Sequence, residues 1–275
     1  MNTCKKEFLA ELINKVLVGD CIQLMKKIPD ESIDLIFIDP PYNLRKRYLT
    51  YNDEKSDEEY LRWSKKWLLE AVRILKRTGS LFVVNLPKWA WQYILILNEK
   101  LWLQRVIAWF GLSEPRGKIM PAHYPILWYT KSKDNFKFNK NTLEKIHVHP
   151  RYVCLRQHCK EKIKRMDINE RKKLGIYEEL TDVWFDIHRI RHRGKRIEKH
   201  PCQLPEKLLE RIILMTTNIN DVVLDPMVGT GTTVIVAKKL NRKFIGIDID
   251  PYYVQITNKR LKTVNVSLTS FFANF

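Results

Sequence analysis

Short, largely apolar runs that end in glycine, aspartate or proline constrain the fold of this chain more than any other feature. The clearest are Lys15–Val18, Ile33–Ile38, Asp221–Leu224 and Lys243–Ile247. Runs of this length are typical of parallel strands that are buried on both faces of a sheet. Helix-length segments separate them, and one of these opens with the capping-box pattern Ser56–Glu59. This alternation predicts an α/β fold with a doubly wound, mostly parallel sheet.

The first half of the chain contains further predicted elements. Apolar residues at three- and four-residue spacing predict a helix from Ser56 that reaches Leu75 and is stopped by Thr78-Gly79. Proline at a first helical position predicts a second helix from Pro87. Strands are predicted at Ser80–Val84, Arg105–Phe110 and Pro125–Thr130.

The alternation is lost between residues 131 and 199, where the chain is strongly basic. The whole chain has 49 Lys+Arg against 31 Asp+Glu, and residues 131–200 hold 20 of the former and 10 of the latter. A concentrated excess favours a nucleic-acid partner over a uniformly basic, solvated surface. We therefore expect a catalytic and cofactor domain formed by residues 1–130 and 200–275. Residues 131–199 are expected to be an inserted region that takes no part in the sheet.

Composition also argues against several classes of protein. No apolar run approaches the roughly 20 residues that a membrane helix needs. The amino-terminal residues lack the pattern of a secretory signal, so a cytoplasmic location is expected. The five cysteines are scattered, which favours free thiols over a disulfide framework.

Gly229-Thr230-Gly231 follows a predicted strand and opens a helix, the place where an open α/β sheet binds a nucleotide-like ligand. Asp248 ends the next strand, where a carboxylate can accept hydrogen bonds from ribose hydroxyls. A dinucleotide fingerprint needs a third glycine where Val234 stands, which disfavours a nicotinamide cofactor. A P-loop needs Gly-Lys-Ser/Thr, but Thr232 and not lysine follows Gly231. A nucleoside ligand without phosphates, such as S-adenosylmethionine, is favoured, and the alternative is a turn that binds nothing.

Asp39-Pro40-Pro41-Tyr42 is the most specific segment of the chain. The prolines stiffen the loop and prevent a helix from starting at the end of the strand. The Asp39 carboxylate and the Pro40 carbonyl can accept the two N–H groups of an exocyclic amino group, and Tyr42 can stack on a base. The alternative interpretation is a strand-ending turn with a packed tyrosine.

These segments together resemble those of the DNA amino-methyltransferases, in which Asp-Pro-Pro-Tyr accompanies a glycine loop. The catalytic segment comes first, then a variable region, then the glycine loop, an order that resembles the beta class typical of restriction–modification and cell-cycle enzymes. The resemblance implies a Rossmann-like methyltransferase fold, S-adenosylmethionine as cofactor, and a target base flipped out of double-stranded DNA. It is also compatible with a cognate restriction endonuclease and a homodimer.

The resemblance places the catalytic residues at Asp39–Tyr42 and the cofactor-binding residues at both ends of the chain. Asp20 resembles the acidic contact to the adenine of the cofactor, and Asp248 the ribose acid. Two departures stand out, because Met227 replaces the usual Phe and Leu204 replaces a frequent Lys, so that no charge is available there. The implied cofactor-binding set is Asp20, Cys21, Asp39, Pro201, Gln203, Asp225, Met227, Gly229, Thr230, Gly231, Thr232 and Asp248.

By the same resemblance the basic region at 131–199 recognises the target sequence. Its basic residues can bind phosphates or guanine edges, and the alternative is a solvated loop. Its histidines and cysteines (His147, His149, Cys154, His158 and Cys159) raise the alternative of a zinc site. The Cys-x4-Cys spacing differs from the commonest fingers and the family requires no metal, so none is expected. The predicted DNA-binding residues are Arg189, Arg191, Arg193, Lys195 and Arg196.

The target atom is predicted to be N6 of adenine. The alternative of the same architecture is N4 of cytosine, but enzymes of that kind more often carry Ser where Asp39 stands. A protein or RNA amino-methyltransferase is disfavoured, because Asn is usual there for glutamine targets and the order of the motifs differs. A non-catalytic DNA-binding protein on the same fold is the remaining alternative.

Overall fold

The computed structural model describes residues 2–46, 50–111, 122–140, 180–190 and 203–264, together with Arg165. The strands of this part of the chain are β1 (Lys15–Val18), β2 (Ile33–Ile38), β3 (Leu75–Val84), β4 (Trp102–Phe110), β5 (His123–Thr130), β6 (Val183–Trp184), β7 (Val222–Asp225) and β8 (Lys243–Asp248). The helices are α1 (Asn2–Leu12), α2 (Cys21–Lys27), α3 (Asp57–Ile74), α4 (Pro87–Leu97), α5 (Glu206–Thr216), α6 (Thr232–Lys239) and α7 (Pro251–Lys262).

The strands form one sheet in the order β1-β8-β7-β2-β3-β5-β4-β6. Strand β5 is antiparallel to β3 and β4, and the other neighbouring pairs are parallel. The predicted doubly wound, mostly parallel α/β fold is therefore confirmed. Because β7 lies beside β2, the glycine loop and the catalytic segment leave adjacent strand ends, at the position where such sheets bind ligands.

Apolar helix faces cover both sides of the sheet. Met25 of α2, Trp67 of α3 and Tyr93 of α4 belong to one core cluster. Leu208 of α5 and Ile235 of α6 belong to the cluster on the other side. The central strand β2 is buried at every position, as its apolar sequence predicts.

The predicted boundary between α3 and β3 is wrong by several residues. Helix α3 ends at Ile74, and Leu75 already pairs with Ile33 in the sheet. The next pair is Leu35 with Ser80, so the intervening residues of β3 form a bulge. Gly79 lies in this bulge, where an added Cβ would be 2.8 Å from the Asp34 carbonyl oxygen. The Thr78-Gly79 sequence thus marks close backbone packing inside a strand and not the end of a helix.

The expectation that residues 131–199 take no part in the sheet is also wrong. Val183–Trp184 pairs in parallel with Ala108–Trp109 and forms the edge strand β6. Near the start of the interval, the Lys137 ammonium donates to Asp34 at 2.9 Å and to Asp221 at 2.6 Å. A two-residue strand has too little pattern to be recognised in a sequence. In the part of the chain that the structure describes, no helix has the length and apolar character needed to cross a membrane.

Candidate active site

The catalytic segment leaves the end of β2 with its backbone held by buried aromatic side chains. The Tyr60 hydroxyl donates to the Pro41 carbonyl at 2.6 Å, and the Trp89 indole N–H donates to the Tyr42 carbonyl at 2.9 Å. Asn85 in turn donates to the Tyr60 hydroxyl at 3.0 Å. No described residue donates to the carbonyl of Pro40, a residue that lines the cavity described below. The segment is therefore rigid while one of its acceptors is available to a ligand.

Asp39 and Tyr42 interact directly, since the Tyr42 hydroxyl donates to the Asp39 carboxylate at 2.5 Å. Burial raises the pKa of Asp39 to about 6, against the lowering effects of the Tyr42 hydrogen bond and of the positive charges of Lys46 and Arg189. The group is thus mainly ionised at neutral pH. The described residues provide no second donor to this carboxylate, so its other oxygen can accept an amino N–H.

Asp53 organises the loop that follows the catalytic segment. Its buried carboxylate accepts the backbone N–H groups of Asn43, Leu44 and Lys46 at 2.9, 3.0 and 3.1 Å. These bonds hold a turn in which Asn43 and Arg45 have φ of 57° and 58°, the left-handed region. Sequence reasoning missed Asp53, because an acid ten residues downstream carries no recognisable motif. The polar sequence of this loop gave no indication of which carboxylate would be buried.

The glycine loop adopts backbone geometry that only glycine takes up readily. Gly229 and Gly231 have φ of 50° and 86°. A Cβ on Gly231 would lie 2.3 Å from Thr257 Cγ2, so no larger residue fits without movement of α7. The Thr257 hydroxyl donates to the Gly229 carbonyl at 2.9 Å. The loop therefore depends on glycine both for its conformation and for its packing.

Buried carboxylates hold the glycine loop in place through hydrogen bonds. Asp225 accepts the Met227 N–H at 3.0 Å and the Thr233 hydroxyl at 2.5 Å. Burial raises the pKa of Asp225 to about 7, and the nearby charges of Asp39 and Asp248 act in the same direction. Burial likewise raises the pKa of Asp248 to about 6. Three acids thus lie close together at the ends of β2, β7 and β8.

Asp248 has the geometry expected of a ribose acceptor. One of its oxygens accepts the Gly229 N–H at 2.8 Å and the other accepts the Asp250 N–H at 2.9 Å. Each oxygen keeps a further lone pair that can accept from a hydroxyl. At the end of β1, Asp20 caps α2 by accepting the Gln23 N–H at 2.9 Å. Cys21 is buried beside it, and this burial raises the thiol pKa to about 12, so the thiol is neutral.

A cavity of about 310 Å³ joins the catalytic segment to the glycine loop. Most of the predicted residues line it, namely Asp20, Cys21, Asp39, Pro40, Pro41, Tyr42, Gln203, Asp225, Met227, Gly229, Thr230, Thr232 and Asp248. Gly231 is not in the lining, because it packs against Thr257. Pro201 lies outside the described residues. Sequence reasoning missed further lining residues, among them Lys55, Asp250 and Tyr253.

Aromatic residues from distant segments gather beside the catalytic segment. The ring centroid of Tyr124, in β5, lies 6.1 Å from that of Tyr42 and 5.8 Å from that of Trp109 in β4. Arg189 donates to the Tyr124 hydroxyl at 2.8 Å, and its guanidinium carbon lies 5.0 Å from the centroid of that ring. A Cβ on Gly111 would lie 2.8 Å from Arg189 Cδ, so glycine permits this approach.

Comparison with known proteins identifies the family. The chain matches the DNA methylase family, which covers adenine-N6 and cytosine-N4 enzymes, over residues 33–259. It belongs to this family. The type II methyltransferase M.BamHI of Bacillus amyloliquefaciens is 40% identical over 91% of this chain and 57% of its own length. The chain thus spans little more than half of that relative. The DNA adenine methyltransferase YhdJ of Escherichia coli K12 is 33% identical, over 90% of this chain and 82% of its own length.

Solved structures show the same fold. The PvuII DNA methyltransferase, described as cytosine-N4-specific, superposes with a TM-score of 0.67 at 20% identity, over 92% of this chain and 87% of that one. The complex of M1.HpyAVI with S-adenosylmethionine gives a TM-score of 0.61 at 23% identity, over 90% and 98%. The family of DNA amino-methyltransferases that the motifs predicted is therefore confirmed, and the methyltransferase fold with it.

One of the predicted DNA-binding residues, Arg189, lies close to the catalytic segment of this DNA methylase. Arg191, Arg193, Lys195 and Arg196 lie outside the described residues, as does the histidine–cysteine cluster at 147–159. Among the described residues, no cluster of His, Cys, Asp or Glu is arranged to hold a metal ion. Tyr124, Trp109 and Gly111 were missed in the sequence. Only their positions near the ends of predicted strands could have drawn attention to them.

Proposed function

We propose that this DNA methylase transfers the methyl group of S-adenosylmethionine to N6 of an adenine that has been rotated out of double-stranded DNA. The observation that carries the proposal is the pairing of acceptors at the end of β2. The Asp39 carboxylate has an oxygen that can accept one amino N–H, and the Pro40 carbonyl can accept the other. The neighbouring carbonyls of Pro41 and Tyr42 are already occupied by Tyr60 and Trp89.

The residues that line the cavity fit the cofactor. Asp248 can accept ribose hydroxyls, Asp20 and the buried Cys21 lie at one end, and the glycine loop allows close approach to a ligand without phosphates. When bound, the cofactor provides a sulfonium methyl that is already activated for transfer. The contribution required of the protein is then chiefly to position the accepting nitrogen.

Asp39 and the Pro40 carbonyl orient the lone pair of the amino nitrogen out of the plane of the base. The bound cofactor would supply its methyl carbon to this nitrogen, and the electron pair of the broken carbon–sulfur bond would stay on sulfur. The nitrogen loses one proton, for which we assign Asp39 as the acceptor, since its pKa of about 6 suits transient protonation. Tyr42 holds the Asp39 carboxylate and presents its ring toward the base. Unstacking the base costs a few kcal/mol, which the contacts in the pocket offset.

Adenine is favoured over cytosine by the acid at position 39. A relative named as an adenine methyltransferase is 33% identical to this chain. The test is incubation of the enzyme with methyl-labelled cofactor and DNA of mixed sequence, followed by nucleoside analysis. We expect label in N6-methyladenosine. Label in N4-methylcytidine would select the cytosine alternative, and absence of label would favour a non-catalytic DNA-binding protein.

The proposal assigns recognition of the DNA sequence to the region at 131–199. Arg189 supports it, because this residue contacts Tyr124, whose ring lies 6.1 Å from that of Tyr42. Arg191, Arg193, Lys195 and Arg196 are assigned to phosphates or base edges. Replacing a phosphate contact should weaken binding to all sequences alike, whereas replacing a base contact should relax specificity at one position. Competition binding at several salt concentrations distinguishes these roles.

A homodimer, a cognate restriction endonuclease and a cytoplasmic location complete the proposal. Type II methyltransferases among the relatives support the link to restriction, and a DNA substrate supports the location. Sedimentation at micromolar concentration tests the dimer. A neighbouring gene whose product cleaves unmethylated DNA, but not DNA treated with this enzyme, would support the endonuclease.

A further inference from the structure

The charges that line the cofactor cavity are unequally distributed. Among the described lining residues, carboxylates come from Asp20, Asp39, Asp225, Asp248 and Asp250. Lys55 is the one basic residue among them. S-adenosylmethionine has cationic groups that suit the acids, but it also ends in a carboxylate. A carboxylate that is transferred from water into such a cavity needs a cation or several hydrogen-bond donors.

Lys55 is held firmly at the edge of the cavity. Its backbone N–H donates to the Asn43 side-chain oxygen at 2.8 Å, and its carbonyl accepts from the Asn43 amide nitrogen at 2.8 Å. This pair of bonds ties Lys55 to the turn that follows the catalytic segment. A change in the position of Lys55 is therefore coupled to the position of Asp39 and Tyr42.

The ammonium of Lys55 is held in one orientation and still has N–H donors available for a ligand. It donates to the Asn52 carbonyl at 2.9 Å and lies 4.4 Å from the centroid of the Tyr51 ring. Tyr51 also lines the cavity, and its ring lies 5.6 Å from that of Trp63. An ammonium has three donors, so the hydrogen bond to Asn52 leaves two for a ligand. Leu204, which lines the same cavity, offers no charge.

Sheet topology separates Lys55 from the residues assigned to the nucleoside. Asp20 follows β1 and Asp248 ends β8, whereas Lys55 is tied to the loop after β2. Strands β8 and β7 lie between β1 and β2 in the sheet. At about 4.8 Å between neighbouring strands, β1 and β2 are therefore about 14 Å apart. Such a span suits an extended nucleoside with an amino-acid tail. The tail then points toward β2, where the methyl group is needed.

We propose that Lys55 binds the α-carboxylate of S-adenosylmethionine and so fixes the direction of the amino-acid tail relative to Asp39. This inference rests on the proposed function only for the identity of the cofactor. It makes Lys55 a cofactor-binding residue on a segment that lies outside both recognised motifs.

The test is calorimetric binding of two ligands to the wild-type chain and to Lys55→Met. The ligands are S-adenosylmethionine and its decarboxylated analogue, which keeps the sulfonium and the ammonium but lacks the carboxylate. Loss of a charged hydrogen bond should weaken binding of S-adenosylmethionine roughly 10- to 100-fold. Binding of the analogue should change by less than about twofold, because it has no carboxylate to lose. Lys65→Met, an exposed lysine of α3, is the matched control and should change neither affinity.

Equal weakening of both ligands, or no weakening of either, would overturn the assignment of Lys55. Thermal unfolding confirms that each variant is folded, and Lys55→Gln replaces the methionine variant if the latter is not. Failure of the proposed function has a different signature, because the wild-type chain would then bind neither ligand. The experiment measures binding and not transfer, so it does not depend on the identity of the target base.

Discussion

The cofactor side and the target side of this active site are built in different ways. On the cofactor side, most contacts are made within a strand and the loop that follows it. Asp225 binds Met227 and Thr233, and Asp248 binds the N–H of Asp250. On the target side, Trp109 donates to the Ile187 carbonyl, 78 residues away, and Arg189 donates to Tyr124 across 65 residues.

This difference follows from what each side must bind. The cofactor is constant in chemical structure, so short strand–loop units with fixed backbone geometry can supply most of its contacts. The target is a base within a particular DNA sequence, and its surroundings vary between enzymes. Side chains from several segments can change on the target side without disturbing the glycine loop. The catalytic segment lies between the two sides and contacts both.

Each of the following predictions tests whether the two sides can be separated by experiment.

Asp39→Ala should have the largest effect. Loss of the carboxylate removes the acceptor for the amino group, so methyl transfer should fall roughly 10³-fold or more. Affinity for S-adenosylmethionine should change little, because Asp20, Asp248 and the glycine loop remain. Single-turnover transfer and calorimetry measure the two quantities, and Asp134→Ala, at an exposed site, is the control. Retained transfer would contradict the assignment of Asp39, and a collapse of cofactor binding would show that the two sides are not separable.

Gly231→Ala should damage the cofactor side. The new Cβ meets Thr257 Cγ2 and the residue has φ of 86°, so we expect a loss of about 1–3 kcal/mol in folding stability and weaker cofactor binding. Adding Thr257→Ser removes the nearest methyl group while keeping a hydroxyl for the Gly229 carbonyl. This double variant should recover part of the loss in thermal unfolding. An unchanged unfolding temperature for Gly231→Ala alone would mean that the loop tolerates the strain.

Asp53→Asn should loosen the turn between the two sides. The amide replaces one acceptor oxygen by a donor, so at least one of the backbone N–H groups of Asn43, Leu44 and Lys46 loses its partner. We expect a loss of about 1–3 kcal/mol in the free energy of unfolding. Urea denaturation measures it, with Asp134→Asn as the exposed control. Stability within about 0.5 kcal/mol of the wild type would show that the turn does not depend on Asp53.

Arg189→Gln should have the smallest effect and should act on the pH dependence. Asp39 works as the carboxylate, so kcat/KM should fall as the pH decreases through about 6. The positive charge of Arg189 lowers the pKa of Asp39, and its removal should move this acid limb to higher pH. Arg105→Gln, at an exposed site on β4, should leave the limb in place. A limb that moves equally in both variants would point to a general charge effect.

Much of the fold could be predicted from sequence because the elements that matter are long and strongly patterned. Strands β1, β2, β7 and β8 were found close to their observed bounds, since each is a short apolar run next to glycine, aspartate or proline. The expectation that β1 is buried on both faces is wrong, because it is an edge strand with Lys15 and Val18 exposed. Strands β4 and β5 begin a few residues earlier than predicted, because their exposed or polar first residues hide the pattern. The errors at Leu75 and at β6 arise from tertiary pairing, which overrides local preference.

The sequence by itself determined the two loops, Asp39–Tyr42 and Asp225–Gly231, because their chemistry depends on proline, glycine and carboxylates at fixed local spacing. Tertiary structure alone decided that these loops lie on adjacent strands and that Lys55 and Asp250 join them around one cavity. It also decided that Tyr124 lies beside Tyr42 and that Arg189 packs on Tyr124. The physical reason is that contacts between side chains far apart in the chain depend on how the strands are ordered in the sheet.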